Sequence, residues 1–228
     1  MSEHPLSAVT TPIARQSNLG ELTYERLKEI IVTGSFPPNH KLTVRSVAAA
    51  LGVSTTPARD ALNRLLSEGA IVNEGPKTVV LPQLTLESLE EIAATRMALE
   101  GLAAERASSN ASPSDLAALE GLQTVINAGL DAGDYREVLR ANREFHFLIY
   151  RLSGWPRLVG MIESLWLRVG PSLNELYPYF ATNRVGVANH QAAMEGLRAR
   201  DGAKVRAAME QDIRDGYARL KAMIEARS

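Results

Sequence analysis

Residues Gly52-Val53-Ser54-Thr55-Thr56-Pro57-Ala58-Arg59-Asp60-Ala61-Leu62-Asn63-Arg64-Leu65 decide how the first third of the chain is read. A small apolar helix, Arg45 to Leu51, ends at Gly52. The Ser-Thr-Thr-Pro cluster that follows offers a second helix start, and Arg59 and Arg64 lie on the new helix. Two short helices joined by a tight glycine turn, the second opening with hydroxyls and carrying arginine, predict a helix-turn-helix. Such a unit enters the major groove of DNA.

Upstream, Leu22, Leu27, Ile30 and Ile31 mark an amphipathic helix that stops at Gly34. Phe36-Pro37-Pro38-Asn39 reads as a turn, since proline cannot continue a helix. Residues 1–19 lack periodicity and are rich in Ser, Thr and Pro, so a flexible arm is expected there. The two central helices are expected over about 43–51 and 55–68, the second closed by Gly69. Ala70-Ile71-Val72-Asn73 and Thr78-Val79-Val80-Leu81 flank Glu74-Gly75-Pro76-Lys77 and predict a β-hairpin. Residues 20–82 are thus expected to form a winged helix-turn-helix, ending at Pro82.

From Thr85 onward the pattern is helical, and residues 83–228 read as one all-α domain. Thr85-Leu86-Glu87-Ser88 opens a helix to about Ala107, with Leu89, Ile92, Ala93, Met97 and Leu99 as its apolar stripe. Ser112-Pro113-Ser114-Asp115 opens another, about 113–130, and Asp134 a third, through Leu152. A long segment Pro156 to Tyr177 and helices near 181–199 and 202–226 complete six antiparallel helices. The fold class is mainly α.

At 228 residues, 45% of them apolar, the chain builds a core and is globular. No apolar run approaches the ~20 residues of a membrane span. The N-terminus shows no basic stretch leading into an apolar one, and there is no cysteine, so a cytoplasmic home without disulfides or thiolate chemistry is expected. The net charge of −1 does not favour nucleic acid by itself. Between Lys41 and Lys77, however, Lys41, Arg45, Arg59, Arg64 and Lys77 face only Asp60, Glu68 and Glu74. A dimer doubles that local excess.

A second constellation lies in the helical part. Asn142 and His146 are one turn apart on one helix face, while His190 and Asp212 sit on later helices. Converging in a bundle, two imidazoles, a carboxylate and an amide oxygen suit a borderline divalent ion such as zinc, nickel, manganese or iron. Each is equally an ordinary helical polar residue satisfied by hydrogen bonds. Arg96 and Glu100 are also one turn apart, a spacing that usually gives a solvated surface pair. Arg143 and Arg168 invite that reading too, although an arginine facing a cavity holds a carboxylate through both arms of its fork. Tyr177, Tyr179 and Phe180 read as core or rim aromatics.

The chain resembles a GntR-family transcription regulator of the FadR-like subfamily, whose C-terminal part is the all-helical, ligand-binding FCD domain. The resemblance runs through Lys41-Leu42-Thr43-Val44-Arg45, Leu51-Gly52-Val53-Ser54, Thr56-Pro57-Ala58-Arg59-Asp60-Ala61-Leu62 and Leu65-Leu66-Ser67-Glu68-Gly69-Ala70. It continues through Arg96-Met97-Ala98-Leu99-Glu100, Gly133-Asp134-Tyr135, Asn142-Arg143-Glu144-Phe145-His146 and Asn189-His190. Six helices correspond to the shorter, VanR-like branch. By that resemblance Arg45, Ser54, Thr56 and Arg59 touch operator DNA, with Arg59 the foremost base reader and Gly75 and Lys77 in the wing tip. Thr55 stands where the family usually has arginine, which alters one contact. Arg64 joins the DNA-facing set as the second arginine of the helix. The family's metal ligands fall on Asn142, His146, His190 and Asp212. Aspartate in the last position replaces a neutral nitrogen and moves selectivity toward harder ions. Arg96 matches a pocket arginine, so the resemblance implies a small carboxylate effector, with Arg96, Glu100, Arg143, His146 and His190 as its candidate contacts.

The combined expectation is a homodimeric regulator, by family tendency a repressor, that binds a roughly palindromic operator and answers to a small organic acid. The rival readings are a metal-dependent enzyme built on two histidines and a carboxylate, and an architectural DNA binder that needs no ligand. An attached winged helix has no use in the first, and a polar interior cavity none in the second.

Overall fold

A computed structural model describes residues 19–33, 36 and 39–227. The expected arm, apart from Leu19, and the expected signals at Gly34 and Pro37-Pro38 lie outside the described residues, as does the Tyr177 side chain. The N-terminal part comprises α1 (Leu19–Val32), β1 (Lys41–Leu42), α2 (Val44–Leu51), α3 (Thr55–Ser67), β2 (Val72–Gly75) and β3 (Thr78–Val80). Thr43 caps α2 by exchanging side-chain and backbone hydrogen bonds with Ser46, and Gly52 ends it in the left-handed conformation at φ 65°. Two helices are thereby closed off locally, within ten residues of each other, as the sequence suggests.

The wing differs from expectation. β2 extends through Glu74 and Gly75, which pairs with Thr78, so only Pro76 and Lys77 form the connection. A third strand, β1, pairs antiparallel with β3 and gives the order β1-β3-β2. Two residues carry too little periodicity to announce a strand, and β1 exists because β3 offers it a free edge.

The remainder is helical: α4 (Leu86–Asn110), α5 (Pro113–Ala132), α6 (Tyr135–Arg151), α7 (Pro156–Leu173), a 3-10 turn (Asn174–Leu176), α8 (Tyr177–Asn183), α9 (Val185–Ala199) and α10 (Gly202–Glu225). Thr85, Ser112, Asp134 and Asp201 cap α4, α5, α6 and α10 through side-chain acceptors. Among the described residues, seven α-helices replace the six expected here. The extra one arises because Arg184, at φ 51°, breaks the chain between α8 and α9 without a glycine to signal it. α10 packs along α4 and α9, and α5 along α6.

One hydrophobic core runs from the winged helix into the bundle, and a second, smaller cluster contains Leu84, Leu89, Ile92, Val169, Leu176 and Leu220. α1 lies directly on α7. At that crossing a Cβ on Gly170 would stand 2.8 Å from the Cα of Val32, so only glycine permits the approach.

Candidate DNA-reading face and candidate ligand cavity

The groove between α3 and the wing is lined by Arg45, Thr55, Arg59, Asn63, Gly75 and Lys77, among others. Ser54, Thr55 and Thr56 are exposed at the start of α3, and the Ser54 hydroxyl makes no capping bond to its own helix. Those hydroxyls and the first amides of α3 therefore face outward, where a helix N-terminus favours anions. Arg64 departs from this set. It turns toward α1, bonds Glu21 at 2.8 Å and Glu68 at 3.4 Å, and stacks 3.6 Å over the Tyr24 ring. Its partners are acidic groups of the same domain, so Arg64 staples α3 to α1. Lys41 pairs with Glu74 at 3.0 Å. Among the described residues, Arg45, Arg59 and Lys77 are the basic side chains left toward the groove.

Inside the bundle, α6, α9 and α10 bring His146, His190 and Asp212 together, with their ligand atoms all within 4.8 Å of one another. His146 Nε2 lies 3.2 Å from His190 Nε2 and 3.4 Å from Asp212 Oδ2. Their outer partners settle the tautomers. His190 Nδ1 is 2.8 Å from Gln123 Oε1, an acceptor, so this nitrogen carries the hydrogen. The Tyr150 hydroxyl donates to Glu100 and hence accepts from His146 Nδ1 at 2.9 Å. Both Nε2 lone pairs consequently point at each other across a gap that also faces a carboxylate. Burial keeps His146 well below its usual value, helped by His190 and Arg96, and holds His190 down to about 3, so both imidazoles are neutral. Burial pushes Asp212 up to about 7 against the lowering pull of Asn189 and Arg96.

That donor set fits a cation. Tetrahedral zinc with nitrogen bonds of about 2.0 Å spaces its ligand atoms about 3.3 Å apart. Asn142, half-buried on the same face of α6 as His146, lines the adjoining cavity.

This cavity, about 70 Å³, is walled by apolar side chains of α4, α7 and α10 such as Leu89, Val169 and Leu220, with Arg96, Asn142 and Asp212 as polar points. Arg96 and Glu100 are not the solvated pair their spacing suggests. Arg96 Nε donates to Glu100 Oε1 at 2.6 Å and Nη2 to Oε2 at 3.3 Å, and Glu100 is fully buried. Glu100 also accepts from Trp166 Nε1 at 3.0 Å and from Tyr150. It therefore lies behind the cavity wall and holds Arg96, rather than lining the pocket. Arg143 is not in the cavity either. It projects from another face of α6, bonds Glu144 and Glu163 at 3.1 and 3.3 Å, and lies over the Phe147 ring. Phe180 reaches the cavity rim, whereas Tyr179 is exposed beneath Arg219. Sequence reasoning missed Gln123, Tyr150 and Trp166. Tyr150 stands one turn beyond His146, a usable signal; Gln123 and Trp166 carry none.

Residues 19–79 match the gntR family of bacterial regulatory proteins, and residues 91–215 match the FCD domain. The chain belongs to the GntR family and carries an FCD domain. This GntR protein is 34% identical over 177 residues to the HTH-type transcriptional regulator McbR of Escherichia coli, covering 77% of this chain and 80% of McbR. It is 31% identical over 140 residues to the Nta operon transcriptional regulator of Aminobacter aminovorans, covering 60% and 65% of the two chains. Among solved structures, E. coli McbR/YncC superposes with a TM-score of 0.85 at 31% identity, over 91% of this chain and 99% of that one. A GntR regulator from Rhodococcus sp. RHA1 shares the fold at a TM-score of 0.72 and 18% identity, over 90% and 98%. The protein is a DNA-binding transcription regulator and not an enzyme. No helix among the described residues is long and apolar enough to cross a membrane.

Proposed function

We propose that this GntR regulator is a cytoplasmic homodimer, acting as a repressor, that reads a roughly palindromic operator and is controlled by a small organic acid bound in its FCD domain. On the DNA side, Arg59 reads base edges with Arg45 beside it, while Ser54, Thr55, Thr56, Gly75 and Lys77 hold phosphate and sugar. Two recognition helices related by a two-fold axis impose the symmetry of the operator.

On the ligand side, His146, His190 and Asp212, with Asn142 at the rim, would hold a divalent zinc, nickel, manganese or iron ion. Such an ion supplies a positive anchor for a carboxylate. Arg96 lines the same cavity, and the apolar wall takes the body of the acid. The observation that carries this reading is the pair of neutral imidazoles whose free lone pairs face one another and a carboxylate. With Asp212 ionised, three acceptors surround one gap; a cation turns the same geometry into attraction. Coupling of about 1–3 kcal/mol between that site and the DNA face is what regulation of this kind requires.

Elemental analysis of untagged protein beside the His146→Ala variant tests the reading. About one equivalent of a transition metal per chain, lost in the variant, is the expected result. Absence of metal in both, after incubation with zinc, nickel, manganese and iron salts, overturns the metal anchor and leaves Arg96 as the sole cation at the cavity.

A further inference from the structure

α7 touches both the ligand cavity and the end of the recognition helix α3. Trp166 and Arg168 are two residues apart and so project from nearly opposite faces of it. On the inner face, Trp166 and Val169 line the cavity, and Trp166 Nε1 donates to the buried Glu100 at 3.0 Å. On the outer face, Arg168 Nε donates to the carbonyl oxygen of Glu68, the residue that caps α3, at 3.2 Å. A guanidinium at that position meets the negative end of the recognition helix. The fit is close: a Cβ on Gly69 would lie 2.9 Å from Arg168 Nη2. Gly170 brings α7 onto the backbone of α1, and Lys28 of α1 reaches Glu163 of α7 at 3.5 Å. No side chain cushions the Gly170 crossing, so a displacement of α7 moves the DNA-binding domain with it.

We propose that α7 is the strut that reports the state of the Arg96–Glu100 pair to the recognition helix, with Trp166 and Arg168 as its two positioning residues. Arg96 is reached from the cavity and holds Glu100 through two hydrogen bonds. An anion entering the cavity competes with Glu100 for that fork. Glu100, buried without access to water, then draws its compensation from Tyr150 and Trp166, and the pull on Trp166 shifts α7. The shift passes through Arg168 to the end of α3. This inference rests on reading the cavity as the effector site, but coupling is reciprocal, so it is testable from the DNA side without any ligand.

The chain has two tryptophans, and Trp155→Phe leaves Trp166 as the only one. The probe is a duplex enriched by the wild-type protein from a random-sequence pool. Adding it to the Trp155→Phe protein is expected to change Trp166 emission. In the Trp155→Phe/Arg168→Met protein that response is lost and duplex affinity changes by about 5- to 150-fold. Trp155→Phe/Arg168→Lys, which restores a donor to the Glu68 carbonyl, recovers part of the response. Unchanged far-ultraviolet circular dichroism and thermal midpoint show that the variants fold. An emission response equal in all three proteins, or absent in the first, overturns the strut. Neither result touches the effector reading, which fails instead if no organic acid alters duplex affinity.

Discussion

Two pairs with the same spacing lie in different halves of the molecule: Arg64–Glu68 on the recognition helix and Arg96–Glu100 on α4. Both are arginine and glutamate one helical turn apart, and both close a salt bridge. Yet the side chains of the first pair are 45% and 24% exposed, against 10% and 0% for the second. The exposed pair has a long contact, shared with Glu21 and the Tyr24 ring, and water competes for every charge in it. The buried pair has a short doubled contact and further donors on the carboxylate, because an ion pair removed from water survives only when its remaining lone pairs are satisfied. Spacing along a helix thus determines whether two side chains meet, and burial determines what the meeting is worth.

Arg96 puts that contrast to its most severe test. Arg96→Met leaves Glu100 as a buried carboxylate without its cation, and stability in urea is expected to fall by about 3–5 kcal/mol. A loss below about 1 kcal/mol would place the pair in the same class as Arg64–Glu68. Arg59 extends the contrast to a charge whose partner lies outside the chain. Arg59→Ala is expected to cost about 1–3 kcal/mol of sequence-specific binding per half-site, measured by anisotropy on a selected duplex, while the melting curve stays in place. Undiminished affinity would sink the docking assigned to α3.

Gln123 probes the buried half with a neutral partner. Gln123→Leu frees the His190 tautomer, so metal affinity measured by competition with a chromophoric chelator is expected to drop about 10- to 100-fold with the fold intact. Wild-type affinity in that variant would mean that His190 needs no orienting group. Arg64 should matter least. Arg64→Met is expected to lower stability by less than about 1 kcal/mol and to leave the salt dependence of DNA binding unchanged, because its charge is used within the domain. A reduced slope of affinity against salt would return Arg64 to the phosphate contacts.

Much of the site is legible in the order of residues, and the reason is local. The turn at Gly52, the hydroxyl-rich start of α3 and the capping residues of α4, α5 and α6 act within a few positions of themselves. Asn142 and His146 likewise share a helix face by spacing alone. The misread residues are those whose surroundings come from distant segments. Arg143 and Arg96 are indistinguishable as helical arginines, yet one faces the half-buried Glu163 of α7 and the other a sealed carboxylate. Arg64 reads as a groove residue in sequence, but Glu21 and Tyr24, forty or more positions away, take its charge.

Residue order alone establishes a winged helix-turn-helix joined to a helical domain, and it names the residues at the DNA-facing turn and the four metal-ligand candidates, Asn142, His146, His190 and Asp212. These depend on helix periodicity, caps and turn residues, which operate at short range. Packing alone makes Glu100 the buried hub of Arg96, Tyr150 and Trp166, sets Gln123 against His190, and stretches α7 between the cavity and the recognition helix. Those facts depend on which faces of separate helices meet. Burial, which turns an ordinary ion pair or histidine into a site, is a property of the packed whole.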